Sequence, residues 1–147
     1  MKKYVNMLLV ISLVLILAAG CTGKESSTDK DGSVDVDLTA LNSTMVYGEI
    51  YNILTNANKY KGKTIKMNGP YYAYCNEKGI YQHLIIIEDA SACCQQGLEF
   101  RWNGEHIYPD DYPEDNARVE VTGVFGTYKE KGETYYYLEV EDITILT

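Results

Sequence analysis

The chain has 147 residues, a formal net charge of −8, four cysteines, and fourteen tyrosines against two phenylalanines. That length allows one domain with a real core beside any targeting segment. The acidic balance repels phosphate backbones and anionic lipid surfaces, so nucleic acid is not an expected partner. Tyrosine suits a half-buried pleated surface, and its abundance points to a sheet-rich domain. A sugar- or peptide-binding aromatic face is the sharper reading of the same excess.

The first twenty residues differ from everything after them. Lys2 and Lys3 open the chain, and Met7 to Ala19 form an apolar run broken only by Ser12. Small residues, Ala18, Ala19 and Gly20, follow. This is the layout of a secretory signal peptide. The run of about 13 residues falls short of the roughly 20 a helix needs to span hydrocarbon. Leu17-Ala18-Ala19-Gly20-Cys21 resembles the lipobox of bacterial lipoproteins, although Ala18 holds the place where that pattern usually has Leu. The resemblance implies a signal peptide over 1–20, a diacylglyceryl thioether on Cys21 and a domain tethered to the extracytoplasmic face of a membrane. Two or more acyl chains hold a domain firmly at ~0.8 kcal/mol per buried methylene. Removing Lys2 and Lys3 leaves 11 Lys and Arg against 21 Asp and Glu, a mature net charge near −10. Residues 21–43 have the Ser, Thr, Asp, Lys and Gly composition of a flexible linker, and the domain is expected over 44–147.

Val46, Ile50, Ile53, Leu54, Ala57 and Tyr60 recur at helical spacing, which predicts one amphipathic helix from about Thr44 to Lys59, capped by Ser43 or Thr44 and followed by Gly62. The period then changes to two. Strands are expected over Lys63 to Tyr74, Tyr81 to Glu88, Leu98 to Trp102, Arg118 to Tyr128 and Thr134 to Leu146. Asn76 to Gly79 reads as a turn, Ser91 to Gly97 as a loop, and Asn103 to Asn116 as a long acidic loop with two prolines. In the last strand Tyr136, Leu138 and Val140 share one phase and Ile143 and Ile145 the other, so a β-bulge is expected near Glu141-Asp142.

Thr64-Ile65-Lys66-Met67-Asn68-Gly69 and Arg118-Val119-Glu120-Val121-Thr122-Gly123 have one form, alternating apolar residues that lead to a mid-strand glycine. Glycine inside a strand marks a bend or bulge, and two bent strands, first and fourth of five, let a small barrel turn its corners. The stretch from Tyr60 to Gly69 resembles the helix-to-first-strand entry of small extracytoplasmic OB-fold proteins. The resemblance covers about residues 44 to 146 and implies a mainly β, five-stranded OB-like barrel preceded by one helix. The acidic loop stands where the usual helix between the third and fourth strands would be.

Three cysteines remain, Cys75, Cys93 and Cys94. Thiolates with an imidazole, here His83, are zinc's preferred ligands. If Asn76 to Gly79 closes the hairpin, however, Cys75 pairs with Ile80, Glu88 lies opposite Met67, and His83 points away from the face of Cys75. Cys93-Cys94 then leaves from the far end of the second strand, roughly 27 Å away at ~3.4 Å per residue. The vicinal pair has three readings: inert buried thiols, a redox pair, or a zinc or copper site helped by His106 or Asp89. The spacing lacks the usual zinc form. Asp110-Asp111-Tyr112-Pro113-Glu114-Asp115 lacks the spacing of a calcium loop. No Gly-x-Ser-x-Gly, HExxH or P-loop pattern nominates an enzyme.

The leading expectation is a non-enzymatic, membrane-tethered binding module for a protein or small-molecule ligand. Small barrels of this type bind on strands two and three, which puts Tyr81, Phe100 and Trp102 forward. A thiol-dependent redox or metal-handling protein using Cys93, Cys94 and His106, with zinc as candidate cofactor, is the second reading. A structural component of an envelope complex is the third.

Overall fold

A computed structural model describes residues 33–89, 91 and 94–147. Cys21, its preceding segment and Cys93 lie outside the described residues. The described elements are β1 (Val36–Asp37), α1 (Ser43–Thr55), α2 (Ala57–Tyr60), β2 (Thr64–Cys75), β3 (Tyr81–Glu88), β4 (Gln95–Trp102), β5 (Arg118–Glu130) and β6 (Glu133–Ile145). Among them no helix is long and apolar enough to cross a membrane.

The strands form one sheet in the order β1-β2-β3-β4-β6-β5, and a further β2–β5 pairing closes it into a ring. Pairings are antiparallel except β1–β2 and β4–β6. With β1 set aside, the five long strands follow first-second-third-fifth-fourth and return to the first. That is the Greek-key barrel of the OB fold. One phase of every long strand points inward, with Ile65, Met67 and Tyr71 of β2, Ile85 and Ile87 of β3, Leu98 and Phe100 of β4, Val119, Val121 and Phe125 of β5, and Leu138 and Val140 of β6 all buried. Ile50 and Ile53 of α1 join this core. Tyr112 and buried Pro113 bring the 103–117 loop onto it near Tyr71 and His83.

The glycine echo marks corners. β2 pairs with β5 from Thr64 to Pro70 and with β3 from Tyr71 to Cys75, so it changes partner just after Gly69. A Cβ on Gly69 would sit 2.6 Å from the Ile86 carbonyl oxygen, and one on Gly123 would sit 2.7 Å from that of Glu139. Both approaches are backbone to backbone, which only glycine permits. The β5–β6 register shifts between Val121, opposite Ile143, and Gly123, opposite Val140. The extra residue therefore falls at Glu141-Asp142, where the change of phase placed it.

Several expectations change. The helix breaks at Asn56, and its cap is Asn42, whose Oδ1 accepts from the Met45 N–H at 3.1 Å. β4 starts three residues early, at Gln95. The first hairpin is one residue out of the expected register, with Cys75 opposite Tyr81 rather than Ile80. The loop is three residues long, closed by the Asn76 N–H on the Ile80 carbonyl, with Gly79 left-handed at φ +74°. Such a turn-plus-glycine loop is one of the common hairpin closures. A one-residue slip exchanges faces, so His83, opposite Ala73, shares a face with Cys75. The linker reading also ends too late. β1 lies parallel to Ile65 and Lys66, and Leu38 is buried in the core at 2% exposure. A sixth, short strand thus joins the five expected.

Candidate functional site

The outward phase of the sheet carries a polar network between two hairpin tips. Arg101 Nε donates to Glu99 Oε1 at 2.8 Å, and the Tyr128 hydroxyl donates to Glu99 Oε2 at 2.8 Å. Gln82 Nε2 lies 3.2 Å from the same hydroxyl. The Arg101 guanidinium sits 4.3 Å from the Tyr128 ring centroid and 4.2 Å from that of Tyr137, a cation–π clamp. Tyr137 lies flat over Gly126, where a Cβ would come within 2.5 Å of its ring. Burial and the Glu99 carboxylate push the Tyr128 phenol up to about 12, so it stays a donor.

Above this floor, Lys78 of the first hairpin meets Glu130 of the last at 2.8 Å. Both side chains are exposed, and such a pair is worth about 0–1 kcal/mol. Its effect is positional: it joins the two tips. A cleft of about 430 Å³ runs beneath, lined by Gln82, Glu99, Arg101 and Tyr128 and, on its other side, by Tyr81, His83 and Trp102. It opens there because β3–β4 pairing stops at His83 opposite Phe100, although both strands run on to Tyr81 and Trp102. A second groove of about 280 Å³, holding Tyr74 and Tyr135, shares Asn76, Lys78, Gln82 and Glu130 with the first.

The nominated ligand residues Tyr81, Phe100 and Trp102 all border this cleft, to different degrees. Phe100 is 1% exposed, so its ring faces the core and presents no surface to a ligand. Trp102 stacks on His106 at 3.7 Å and donates Nε1–H to the Glu141 carbonyl at 3.1 Å, so one ring face is already covered. Tyr81 remains 46% exposed, with its ring 4.3 Å from that of Tyr108. All three belong to the inward phase of β3 and β4. The signal for the outward one was the run of Gln82, Glu99 and Arg101 among apolar strand residues.

Of the expected metal group, Cys94 and His106 are described, and they stand apart. Cys94 precedes β4 and His106 follows it, so the whole of β4, about 27 Å at ~3.4 Å per residue, separates them. Among the described residues no group of three or more His, Cys, Asp or Glu side chains converges. Cys75 is an exposed free thiol at the hairpin end of β2, whereas Cys94 lies beyond the far end of β3, where its backbone carbonyl accepts from the Asp89 N–H. In the acidic loop, Asp111 accepts from the Ile107 N–H and Asp115 from the Ala73 N–H, so these carboxylates bond backbone.

His83 is packed against Tyr112 at 3.8 Å, and its Nδ1 bonds the Tyr71 hydroxyl at 2.7 Å. Burial pulls its imidazole down to about 4 from the ordinary 6.5. The unfolded chain takes up a proton near pH 6.5 that the folded chain refuses until about pH 4. Stability from this group is therefore full above 6.5 and falls as pH drops through the window to 4. The loss should be on the order of 2 kcal/mol once the ring's partial exposure is discounted. Melting curves of wild type and His83→Gln across that window check it; identical slopes would show that His83 contributes nothing.

No family model matches the chain, and no curated protein matches it. Among solved structures it is similar to the N-terminal domain of the PriB protein from Thermoanaerobacter tencongensis, solved as a dimer, at 13% identity and a TM-score of 0.38, over 57% of this chain and 96% of that one. The exclusion of nucleic acid is corrected here. It rested on whole-chain charge, whereas the strand order of this chain is that of the OB fold, and OB barrels as a class bind oligonucleotides on strands two and three.

Proposed function

We propose that this chain is a membrane-tethered extracytoplasmic lipoprotein, anchored through Cys21, whose OB domain binds an extended ligand without catalysis on the outward face between its two hairpin tips. The observation that carries this reading is the joined pair of tips over a floor already held in place by mutual bonds, Arg101 to Glu99 and Tyr128 to Glu99. A floor so fixed loses little further freedom when a ligand arrives, which favours affinity. The anchor supports the same role, because it confines such a module to one surface.

Cys21→Ser should abolish incorporation of labelled fatty acid and release the protein from the membrane fraction. Label persisting on that variant would place the anchor on another residue. For the face, backbone resonances of Gln82, Arg101, Tyr128 and Tyr135 should shift when a panel of oligosaccharides, peptides and oligonucleotides is titrated in. Shifts confined to the Cys94 end of the barrel would refute this location.

A further inference from the structure

We infer that the ligand of this face is an uncharged oligosaccharide chain, which rests on the binding role proposed above and names its chemistry. The charges decide it. Lys78, Arg101 and Lys131 line the two clefts, and Glu77, Glu99 and Glu130 line them too, three of each sign. Two of the cations are tied at 2.8 Å to carboxylates of the same face, Arg101 to Glu99 and Lys78 to Glu130. Single-stranded nucleic acid is held by a groove of positive charge that tracks its phosphates, and a polyanionic glycan needs the same. Two of the three cations on this face are already neutralised, and its carboxylates repel an incoming anion.

What it offers instead is aromatic surface and paired donors and acceptors. Tyr74 is 53% exposed and Tyr135 40%. A pyranose ring has a flat face of C–H bonds, which packs on an aromatic ring, and a rim of hydroxyls, each both donor and acceptor. Tyrosine pairs an apolar ring with a polar tip and suits that double surface. Asn76, Gln82 and the Glu99–Arg101 pair bring amide, carboxylate and guanidinium groups to the rim. A peptide captured by strand addition would seek an open sheet edge, not a sheet face. The two clefts share Asn76, Lys78, Gln82 and Glu130, so they adjoin on this face.

The test uses the full-length protein in detergent, titrated with chitohexaose and cellohexaose as uncharged probes, hexagalacturonate as an anionic glycan, and an oligo-deoxythymidine strand. At least one uncharged hexasaccharide should bind, with Tyr74→Ala and Tyr135→Ala each weakening it at least tenfold while melting stays within a few degrees of wild type. Glu130→Gln, which frees the Lys78 charge, should move the affinity ratio several-fold toward hexagalacturonate. Tighter binding of oligo-deoxythymidine or hexagalacturonate to wild type, sensitive to Tyr74→Ala, would overturn the ligand class and leave the binding face standing. Failure of both uncharged probes, or binding indifferent to both tyrosine variants, overturns the inference. Resonances of the face unmoved by every probe would overturn the binding role as well.

Discussion

Phe100→Ala should lower the unfolding free energy by about 3–5 kcal/mol, the usual cost of removing a buried aromatic ring. The ring is 1% exposed, with Tyr71 at 6.0 Å and His83 at 6.1 Å between centroids, so its removal opens a cavity beneath the loop-capped end of the barrel. Against a total stability of about 5–15 kcal/mol for a domain of this size, that loss is a large fraction. Urea denaturation of wild type and variant reads it directly. Unchanged stability with a weakened ligand would instead put the ring on the surface, where strand-level reasoning first placed it.

A chain that begins at Asn42 should unfold far more easily than one that begins at Ser33, although composition assigns everything before residue 44 to a linker. The segment in question is tied to β2 at three points. The Asp35 N–H donates to the Thr64 carbonyl at 2.9 Å, the Leu38 N–H to that of Lys66 at 2.8 Å, and Asp35 Oδ2 accepts from the Thr64 N–H at 2.8 Å. Leu38 carries most of the energy, because its side chain is 2% exposed in the core cluster. Leu38→Ala alone should cost about 2–5 kcal/mol. Thermal unfolding of the two chains, with Leu38→Ala as the third sample, checks the prediction. Equal melting temperatures would return residues 33–41 to the linker.

The barrel itself was legible in the sequence. Period-two alternation gave the five long strands, the paired motifs ending in Gly69 and Gly123 gave the corners, and the change of phase across Glu141-Asp142 gave the bulge. These features are local: each is decided by residues a few positions apart, and elementary sterics reads them without knowing the partner strand.

The face was not legible, because it depends on one count that no local pattern fixes. A four-residue turn and a three-residue loop both suit Asn76-Glu77-Lys78-Gly79-Ile80, and they differ by one residue of register, which exchanges the two sides of the sheet. Both phases of β3 and β4 carry aromatic or polar side chains, so alternation could not say that Phe100 goes in and Arg101 goes out. Short β1 escaped for a related reason, since a two-residue strand has no period to read and Leu38 looks like a stray apolar residue in a polar tract. Whole-chain charge does not describe the face. Net charge is a sum over the chain, but a ligand meets only the groups that folding brings to one face, and there Arg101 and Lys78 stand already matched by Glu99 and Glu130 from other parts of the chain or from the same strand. The Lys78–Glu130 pairing exists only once the barrel closes and sets two distant hairpin tips against each other.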